Sequence, residues 1–274
     1  FNTKLFTGNG GTNVVTGVGF NSDFTWIKNR ATTGNPALFD KINGVTKYLN
    51  SNNQNGLATS APTLTAWSSD GFTIGSSTDL NGNGNGIASW NWLANGAGSA
   101  NTDGDINSTV SANTTSGFSI VTYTGTGSNA TIGHGLGAAP SMIIVKDLSE
   151  DNYDWMVYHQ SLGATKYIRL NLTSAVSTST VWQDTAPTNQ VFSVVSNSSD
   201  VNKSGNNFIA YCFANVQGFS KMGSYVGNGS TNGTFIYTGF RPAFAMFKDT
   251  TSARDWAMLD NKRNTFNVMD KRLF

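Results

Sequence analysis

Short runs of alternating apolar and polar residues occur along most of the chain. Residues 117–123, for example, alternate with the two-residue period of a half-buried β-strand. Such runs are rich in Val, Ile, Thr, Phe and Tyr, and clusters of Gly, Asn and Ser separate them about every ten residues, which is a typical spacing of strands and turns. Amphipathic helical stretches are nearly absent. The pattern therefore predicts an all-β fold of the sandwich or barrel kind.

One longer pattern occurs three times along the chain. Each copy has an aromatic residue, a Gly-rich turn, a second Gly-containing turn and an apolar strand that ends in lysine. The aromatic and lysine residues are Phe6 and Lys28, Tyr123 and Lys146, and Tyr225 and Lys248. They are separated by about 22 or 23 positions in every copy, which predicts one repeated structural unit.

The repeat divides the chain into units. We assign unit one to residues 1–98, unit two to residues 117–219 and an incomplete unit three to residues 220–274. Residues 99–116 are poor in apolar side chains and dense in Asn, Ser, Thr and Gly, so they are predicted to form a linker. Since the third copy extends only about half-way through the pattern, we expect the chain to be a segment of a longer array.

Composition narrows the range of partners. Charged residues make up 12% of the chain and the formal net charge is +1, whereas an ordinary globular domain has about 25% charged residues. No basic stripe suits a phosphate backbone, so nucleic-acid binding is not expected. No apolar run approaches the roughly 20 residues that cross a bilayer, so membrane insertion is not expected either. Cys212 is the only cysteine, which excludes internal disulfides and a thiolate-ligated zinc site.

The repeated motifs together resemble a known family. The Gly-Asn-Gly turn, the Gly-Phe turn, the apolar strand to lysine and the Trp-containing segment that follows are similar to tandem β-domains of tailed, often marine, bacteriophages. Those domains occur in tail-fibre-like and other virion-surface proteins and resemble concanavalin-type lectin sandwiches. The resemblance covers nearly the whole chain. It implies tandem β-sandwich or jelly-roll-like units in an extracellular virion component that meets the host surface, and it brings no catalytic residues.

Residues that perform catalysis are sparse. Glu150 is the only glutamate, and no spacing singles out a pair of aspartates for glycoside hydrolysis. His134 and His159 are the only histidines, and no Gly-x-Ser-x-Gly nucleophile motif accompanies them. We therefore predict that the protein is not an enzyme and uses no cofactor.

Two loops rich in Asp and Asn resemble the start of a calcium-binding loop. Residues 79–84 have the order Asp-x-Asn-x-Asn-Gly, but Trp90 stands where the closing glutamate belongs. Residues 103–107 are interpreted in the same way. Tight turns explain both loops, because Asn and Gly tolerate positive φ. We predict no metal site, and calcium binding by residues 79–83 or 103–107 stays the alternative.

Tryptophan is the residue type that best suits a binding role. Trp155 and Trp256 recur at one repeat position and are predicted to be core residues. The tryptophans that differ between copies, together with nearby Asn, Thr and Ser, suit the apolar C–H face and the hydroxyls of a neutral sugar. The candidate glycan-binding residues are Trp67, Trp90, Trp92 and Trp182. Burial of all four in the core or between units is the alternative.

The sequence as a whole favours a non-enzymatic phage virion-surface protein of the tail-fibre or tail-spike kind. We expect it to present β-sandwich units for recognition of the host surface, and a surface glycan is the expected ligand. Its other expected partners are virion subunits and further copies of itself in a homo-oligomer. Two alternatives remain open, namely a purely structural virion component, such as a capsid decoration or fibre-shaft module, and a bacterial surface adhesin.

Overall fold

The structure, a computed structural model, describes residues 1–266 and 270–273. In that part of the chain the regular elements are strands, apart from one helical turn in unit one. The elements of unit one are β1 (Asn2–Thr7), β2 (Asn13–Thr16), β3 (Phe24–Asn29), β4 (Ala37–Asp40), β5 (Lys47–Asn50), β6 (Ala58–Thr59), β7 (Leu64–Ser68), β8 (Gly71–Ile74), α1 (Thr78–Asn81) and β9 (Gly86–Trp92).

Unit two repeats most of these elements in the same order. Its strands, with two that precede them, are β10 (Ser99–Asn101), β11 (Ser108–Asn113), β12 (Phe118–Thr124), β13 (Ala130–Gly133), β14 (Met142–Asp147), β15 (Met156–His159), β16 (Lys166–Arg169), β17 (Ser177–Thr178), β18 (Val191–Val194) and β19 (Asn207–Phe213). The third unit contributes β20 (Phe244–Phe247) and β21 (Ala257–Asp260).

Each of the first two units is a two-layered antiparallel sandwich. In unit one the larger sheet has the order β1-β9-β3-β4-β5-β6, and the smaller sheet has the order β2-β8-β7. Unit two has the order β10-β11-β12-β19-β14-β15-β16-β17 and a smaller sheet of β13 and β18. The last strand of each of these two units, β9 or β19, lies between two other strands of the larger sheet, and we call it the closing strand. The predicted all-β sandwich fold is confirmed.

The predicted linker is more ordered than its composition indicates. Within residues 99–116, β11 pairs with β12 along its whole length and β10 pairs with β11, so the segment widens the larger sheet of unit two. Val110 is buried in the core of unit two and Ala112 packs against it. The predicted linker thus contributes two strands, β10 and β11, to the larger sheet of unit two. An edge strand needs only a few apolar side chains on one face, and this segment has them.

Three apolar cores hold the units together. One lies between the two sheets of unit one and includes Phe39 and Phe72, and a second lies in unit two around Phe192. The third core lies where the larger sheets face one another, and all three units contribute to it. Successive residues of β3 point to opposite faces, so Trp26 enters this shared core whereas Ile27 enters the core of unit one. Burial on both faces explains why the strands that end in lysine are apolar throughout.

The third unit is organised differently. Its β20 pairs with β21, and Met258 of β21 forms a bridge to Leu273, as Leu38 pairs with Leu49 in unit one. Residues 221–240 contain the aromatic residue and Gly-rich turn of the repeat but form no strand. Tyr225 is consequently 52% exposed, whereas its counterpart Tyr123 is 4% exposed.

Candidate functional site at the junctions between units

The four tryptophans predicted to bind a glycan do not share one surface. Trp90 and Trp182 are 0% and 2% exposed and belong to the shared core and the core of unit two, respectively. Neither ring offers a free face to a sugar, so the prediction is corrected for these two residues. Their apolar area is buried because the opposite sheet, or another unit, covers the face on which they lie.

The other two candidates are partly exposed and lie far apart in the fold. Trp92 shares one strand face with Trp90, as the sequence predicts, and joins an aromatic cluster in which its ring lies 4.7 Å from Phe1 and 5.7 Å from Phe244. Trp67 lies on β7 and packs against the core of unit one. Only Trp67 therefore lies on the outer sheet of a unit, where a ligand has access to it.

Side chains that recur between the units form hydrogen bonds instead at the junctions between units. Trp155 of unit two donates its indole N–H to the carbonyl of Asn50 in unit one, at 3.0 Å. Trp256 of unit three donates to the carbonyl of Arg169 in unit two, at 2.8 Å. Asn50 and Arg169 each end the equivalent strand, β5 or β16. The same hydrogen bond thus joins unit one to unit two and unit two to unit three.

The lysine that ends each repeated strand makes the second recurring contact. The Lys146 ammonium donates to the carbonyl of Gln54 in unit one at 3.1 Å and to that of Tyr153 at 3.0 Å. Lys248 donates to the carbonyl of Thr173 in unit two at 2.7 Å and to that of Arg254. Burial lowers the pKa of Lys146, and nearby aspartates such as Asp147 oppose that shift. The lysine satisfies backbone carbonyls that packing removes from water.

A backbone hydrogen bond accompanies each lysine contact. The N–H of Leu57 donates to the carbonyl of Leu148 at 2.9 Å, and the N–H of Val176 donates to the carbonyl of Thr250 at 3.1 Å. Both donors lie just before a two-residue strand, β6 or β17, and both acceptors lie two residues after the lysine of the next unit. The two junctions therefore have the same geometry.

The closing strands make the third recurring contact. The Tyr211 hydroxyl on β19 donates to the Asp40 carboxylate of unit one at 3.0 Å, and the Trp90 indole on β9 donates to the Asp260 carboxylate of unit three at 3.1 Å. Asp40 and Asp260 end equivalent strands, and Tyr211 and Trp90 each take the fifth position of a closing strand. Unit two thus contacts unit one in the way that unit one contacts unit three. Together with the tryptophan contacts, this order closes the three units into a pseudo-threefold ring.

Both aspartates are buried and depend on their hydrogen-bond donors. Burial raises the pKa of Asp40, while hydrogen bonds from Asn43 and Tyr211 act in the opposite direction. Asp260 accepts the Nε–H of Arg263 at 2.6 Å, and that guanidinium also lies over the Trp90 ring at 5.6 Å from its centre. A buried carboxylate that lost one of these donors would destabilise the fold.

The junction between units three and one is less complete than the other two. Pro36 takes the place that Trp155 and Trp256 take in the other units. A cavity of about 100 Å³ lies beside it, where all three units meet, and its walls include Pro36, Leu170 and Met258. The indole N–H of Trp26 has no hydrogen-bond partner. Lys28 donates to carbonyls of its own hairpin, including Asn29 and Gly34, both at 2.9 Å.

The model of a protein family with the description "Domain of unknown function (DUF7483)" matches residues 1–274. The chain belongs to this family. No curated protein and no solved structure matches it. In the described part of the chain, no helix has the length and apolar character to cross a membrane.

The histidines of this DUF7483 chain have local contacts with the backbone. His134 is buried, its Nδ1 accepts the N–H of Leu136 at 3.2 Å, and its Nε2 lies 3.2 Å from the carbonyl of Thr188. His159 accepts the N–H of Ser161 on Nδ1 at 3.2 Å. Burial lowers the pKa of both imidazoles, so both are neutral at pH 7.

The remaining reactive groups also have local partners. Glu150 forms an ion pair with Lys203 at 2.7 Å and accepts the Tyr153 hydroxyl at 3.2 Å. Burial raises the pKa of the Cys212 thiol to about 12, so it is not a thiolate at neutral pH. Within the described residues, no group of three or more His, Cys, Asp or Glu side chains is placed to hold a metal ion.

The two calcium-like loops use their polar side chains within the fold. The Asn81 amide donates to the carbonyls of Gly11 and Gly75, at 2.7 and 2.9 Å, and its oxygen accepts the N–H of Asn9 at 3.0 Å. The Asp105 carboxylate accepts both the N–H and the hydroxyl of Thr131. These side chains therefore bind other segments of the fold. Residues 79–81 lie in the helical turn α1, and of residues 79–84 only Gly84 has the positive φ that a tight turn predicts.

Sequence reasoning missed the contacts between units. It recognised that lysine and tryptophan recur at fixed positions, but not which groups they contact. Asp40, His159 and Asp260 also share one repeat position. Recurrence of a charged residue at the end of an otherwise apolar strand was the available signal, since a buried lysine requires partners.

Proposed function

We propose that this DUF7483 protein is a non-enzymatic structural module of a phage virion surface, such as a fibre-shaft or capsid-decoration module. The observation that carries the proposal is the junction chemistry described above. The side chains that bind neighbouring units of the same chain are Trp155 and Trp256, Lys146 and Lys248, and Tyr211 and Trp90.

Burial of the candidate ligand-binding residues favours this role over host recognition. Trp90 and Trp182 contribute to cores, where they stabilise the fold through apolar burial. The central strands β3 and β14 of the larger sheets are buried on both faces. Inward packing of this kind in the first two units suits a rigid support. Other virion subunits and further copies of the chain are the proposed partners.

Labelling of virions tests the structural role. Antibodies raised against the purified protein should label intact particles of a phage that encodes it, in a regular pattern along a fibre or over the capsid surface. Absence of label on intact particles, together with detection of the protein only in infected-cell lysate, would contradict the proposal.

Recognition of a host-surface glycan is the second candidate, and it rests on Trp67. This ring is half-exposed on β7, next to the exposed Thr65 and Ala66. Binding of the purified protein to host cells that free glycan competes away, and that Trp67→Ala abolishes while Trp92→Ala does not, would favour recognition. Absence of saturable binding by the folded protein would favour the structural role.

A further inference from the structure

The edge of β20 opposite β21 is the part of the molecule whose pairing differs most from the other units. In unit one, β3 lies between β4 and the closing strand β9, and in unit two β14 lies between β15 and β19. Among the described residues, β20 pairs with β21 alone. Its open edge corresponds to the edge that receives a closing strand in both complete units.

Burial along these strands agrees with the pairing. Every residue of β3 is buried, and five of the six residues of β14 are buried. All four residues of β20 are only half-buried. Open backbone N–H and C=O groups on an apolar strand form a template for another strand.

Residues 221–226 have the sequence pattern of a strand but form no strand. Residues 221–226 correspond to β1 and β12, which pair with the closing strands β9 and β19. In unit three this segment forms no strand, and Tyr225 and Val226 are exposed. The Tyr225 ring lies 6.3 Å from the Phe247 ring of β20, so the segment lies beside the open edge without pairing with a closing strand.

A third observation lies in unit two. Tyr211 and Trp90 on the closing strands reach Asp40 and Asp260, and His159 takes the equivalent position in unit two. In the ring, the closing strand of unit two contacts unit one and that of unit one contacts unit three. A closing strand of unit three would therefore contact unit two, and its aromatic side chain would reach His159. Its Nδ1 accepts the N–H of Ser161, which leaves Nε2 on the opposite side of the ring. A neutral imidazole nitrogen can accept a hydrogen bond from a hydroxyl or an indole.

We propose that β20 and residues 221–226 form an acceptor site for a closing-type strand supplied by a repeat unit of this family from outside residues 1–274. The strand inserts between them, antiparallel to both, as β19 does between β12 and β14. The inserted strand is expected to resemble β9 and β19, each of which has seven residues with an aromatic residue at the fifth position. That residue lies opposite Trp26 in unit one and Ile144 in unit two, and it would lie opposite Met246 here.

The pairing of β9 and β19 explains why a repeat unit is the proposed source rather than a second copy of residues 1–274. Each of these closing strands already pairs on both sides within its own sheet. A second copy would have to unfold one of its own units to donate a strand. The occupant is therefore a strand other than those that pair within the described residues.

A peptide experiment tests the site on the intact protein. The probe is a synthetic peptide with the sequence of residues 205–214 and Ser in place of Cys212, titrated into the protein and followed by hydrogen exchange. We expect slower exchange of the backbone amides of residues 221–226 and 244–247, with unchanged exchange in β3 and β14.

Two control peptides have the same length as the probe. In the first, Ala210→Pro removes a ladder hydrogen bond and should abolish protection. In the second, Tyr211→Ser should weaken binding at least about tenfold.

A fusion protein provides a second test in case the free peptide is poorly soluble. The same ten residues are attached after Phe274 through a flexible Gly/Ser linker, with the Ala210→Pro sequence as the control. Protection of residues 221–226 in the first protein and not in the second supports the site. Equal exchange in both fusions and no effect of free peptide would overturn the proposal. Protection that grows with protein concentration without any peptide would also overturn it, because a second copy would then be the occupant.

Discussion

The first two units and the third begin with the same sequence pattern but differ in what that pattern becomes. In unit two, Tyr123 lies on β12, paired with β19 and buried. In unit three, Tyr225 precedes the same kind of Gly-rich turn, yet it belongs to no strand and is exposed. The closing strand that distinguishes them follows Tyr123 by more than 80 positions in unit two. Strand formation at the start of a unit thus depends on a partner distant in sequence rather than on local propensity.

Truncation of the junction tryptophans should have the largest effect. Trp155 is fully buried, so Trp155→Ala should lower the free energy of unfolding by about 3–5 kcal/mol through lost packing and a cavity. Trp256 is only half-buried in the incomplete unit, and Trp256→Ala should cost roughly half as much. Urea unfolding of the two variants measures the difference. Equal losses would mean that the two junctions are equally well packed.

A pair of isoleucines compares the units directly. Ile132 of β13 is 0% exposed, whereas its counterpart Ile236 is 42% exposed. Ile132→Ala should lower the free energy of unfolding by about 2–4 kcal/mol. Ile236→Ala should change it by no more than about 0.5 kcal/mol, as is usual for a surface substitution. A large loss from Ile236→Ala in thermal unfolding would show that the start of unit three is packed in solution.

Removal of one hydroxyl should have an intermediate effect. Tyr211→Phe keeps the ring but deprives the buried Asp40 of a donor, so the free energy of unfolding should fall by about 1–3 kcal/mol. Tyr237→Phe is the matched control, since Tyr237 is exposed in unit three. If both variants unfold at the same urea concentration as the wild type, the Tyr211–Asp40 hydrogen bond does not stabilise the junction.

The smallest expected effect is a dependence on pH. Burial raises the pKa of Asp40, so its contribution to stability is fully present below the ordinary aspartate pKa of about 4 and is lost as pH rises through the raised value. Asp40→Asn carries no such charge. The variant should therefore gain stability relative to the wild type as the pH rises from 4 to 7. Unfolding curves at several pH values measure this, and a constant difference would contradict the raised pKa.

The strands were more predictable from the sequence than their surroundings. The apolar segments before Lys28 and Lys146 are the buried strands β3 and β14, because their composition suits a sheet that is covered on both faces. Trp90 and Trp92 are two residues apart, which predicts that both side chains point to one face of a strand, and they do share one face. This spacing does not reveal whether that face meets solvent or another sheet. The sequence therefore left both a glycan site and a core position open for Trp90.

Polar segments were the least predictable. The linker interpretation of residues 99–116 overlooked β11, whose Ser108 and Ser111 are buried by contact with neighbouring backbone rather than by apolar pairing. The Asp40–Tyr211 contact was not predictable, since its partners are separated by 171 positions and no local rule relates them. Long-range hydrogen bonds of this kind leave a trace in sequence only through repetition.

Three related units on one polypeptide have a freedom that an assembly of identical subunits lacks. In a symmetric homotrimer, a substitution at a junction appears at all three junctions at once. Here Pro36 replaces a tryptophan at one junction only, and His159 replaces an aspartate at another. The sequence at each junction can therefore change independently. One junction can acquire a new property while the other two continue to hold the units together.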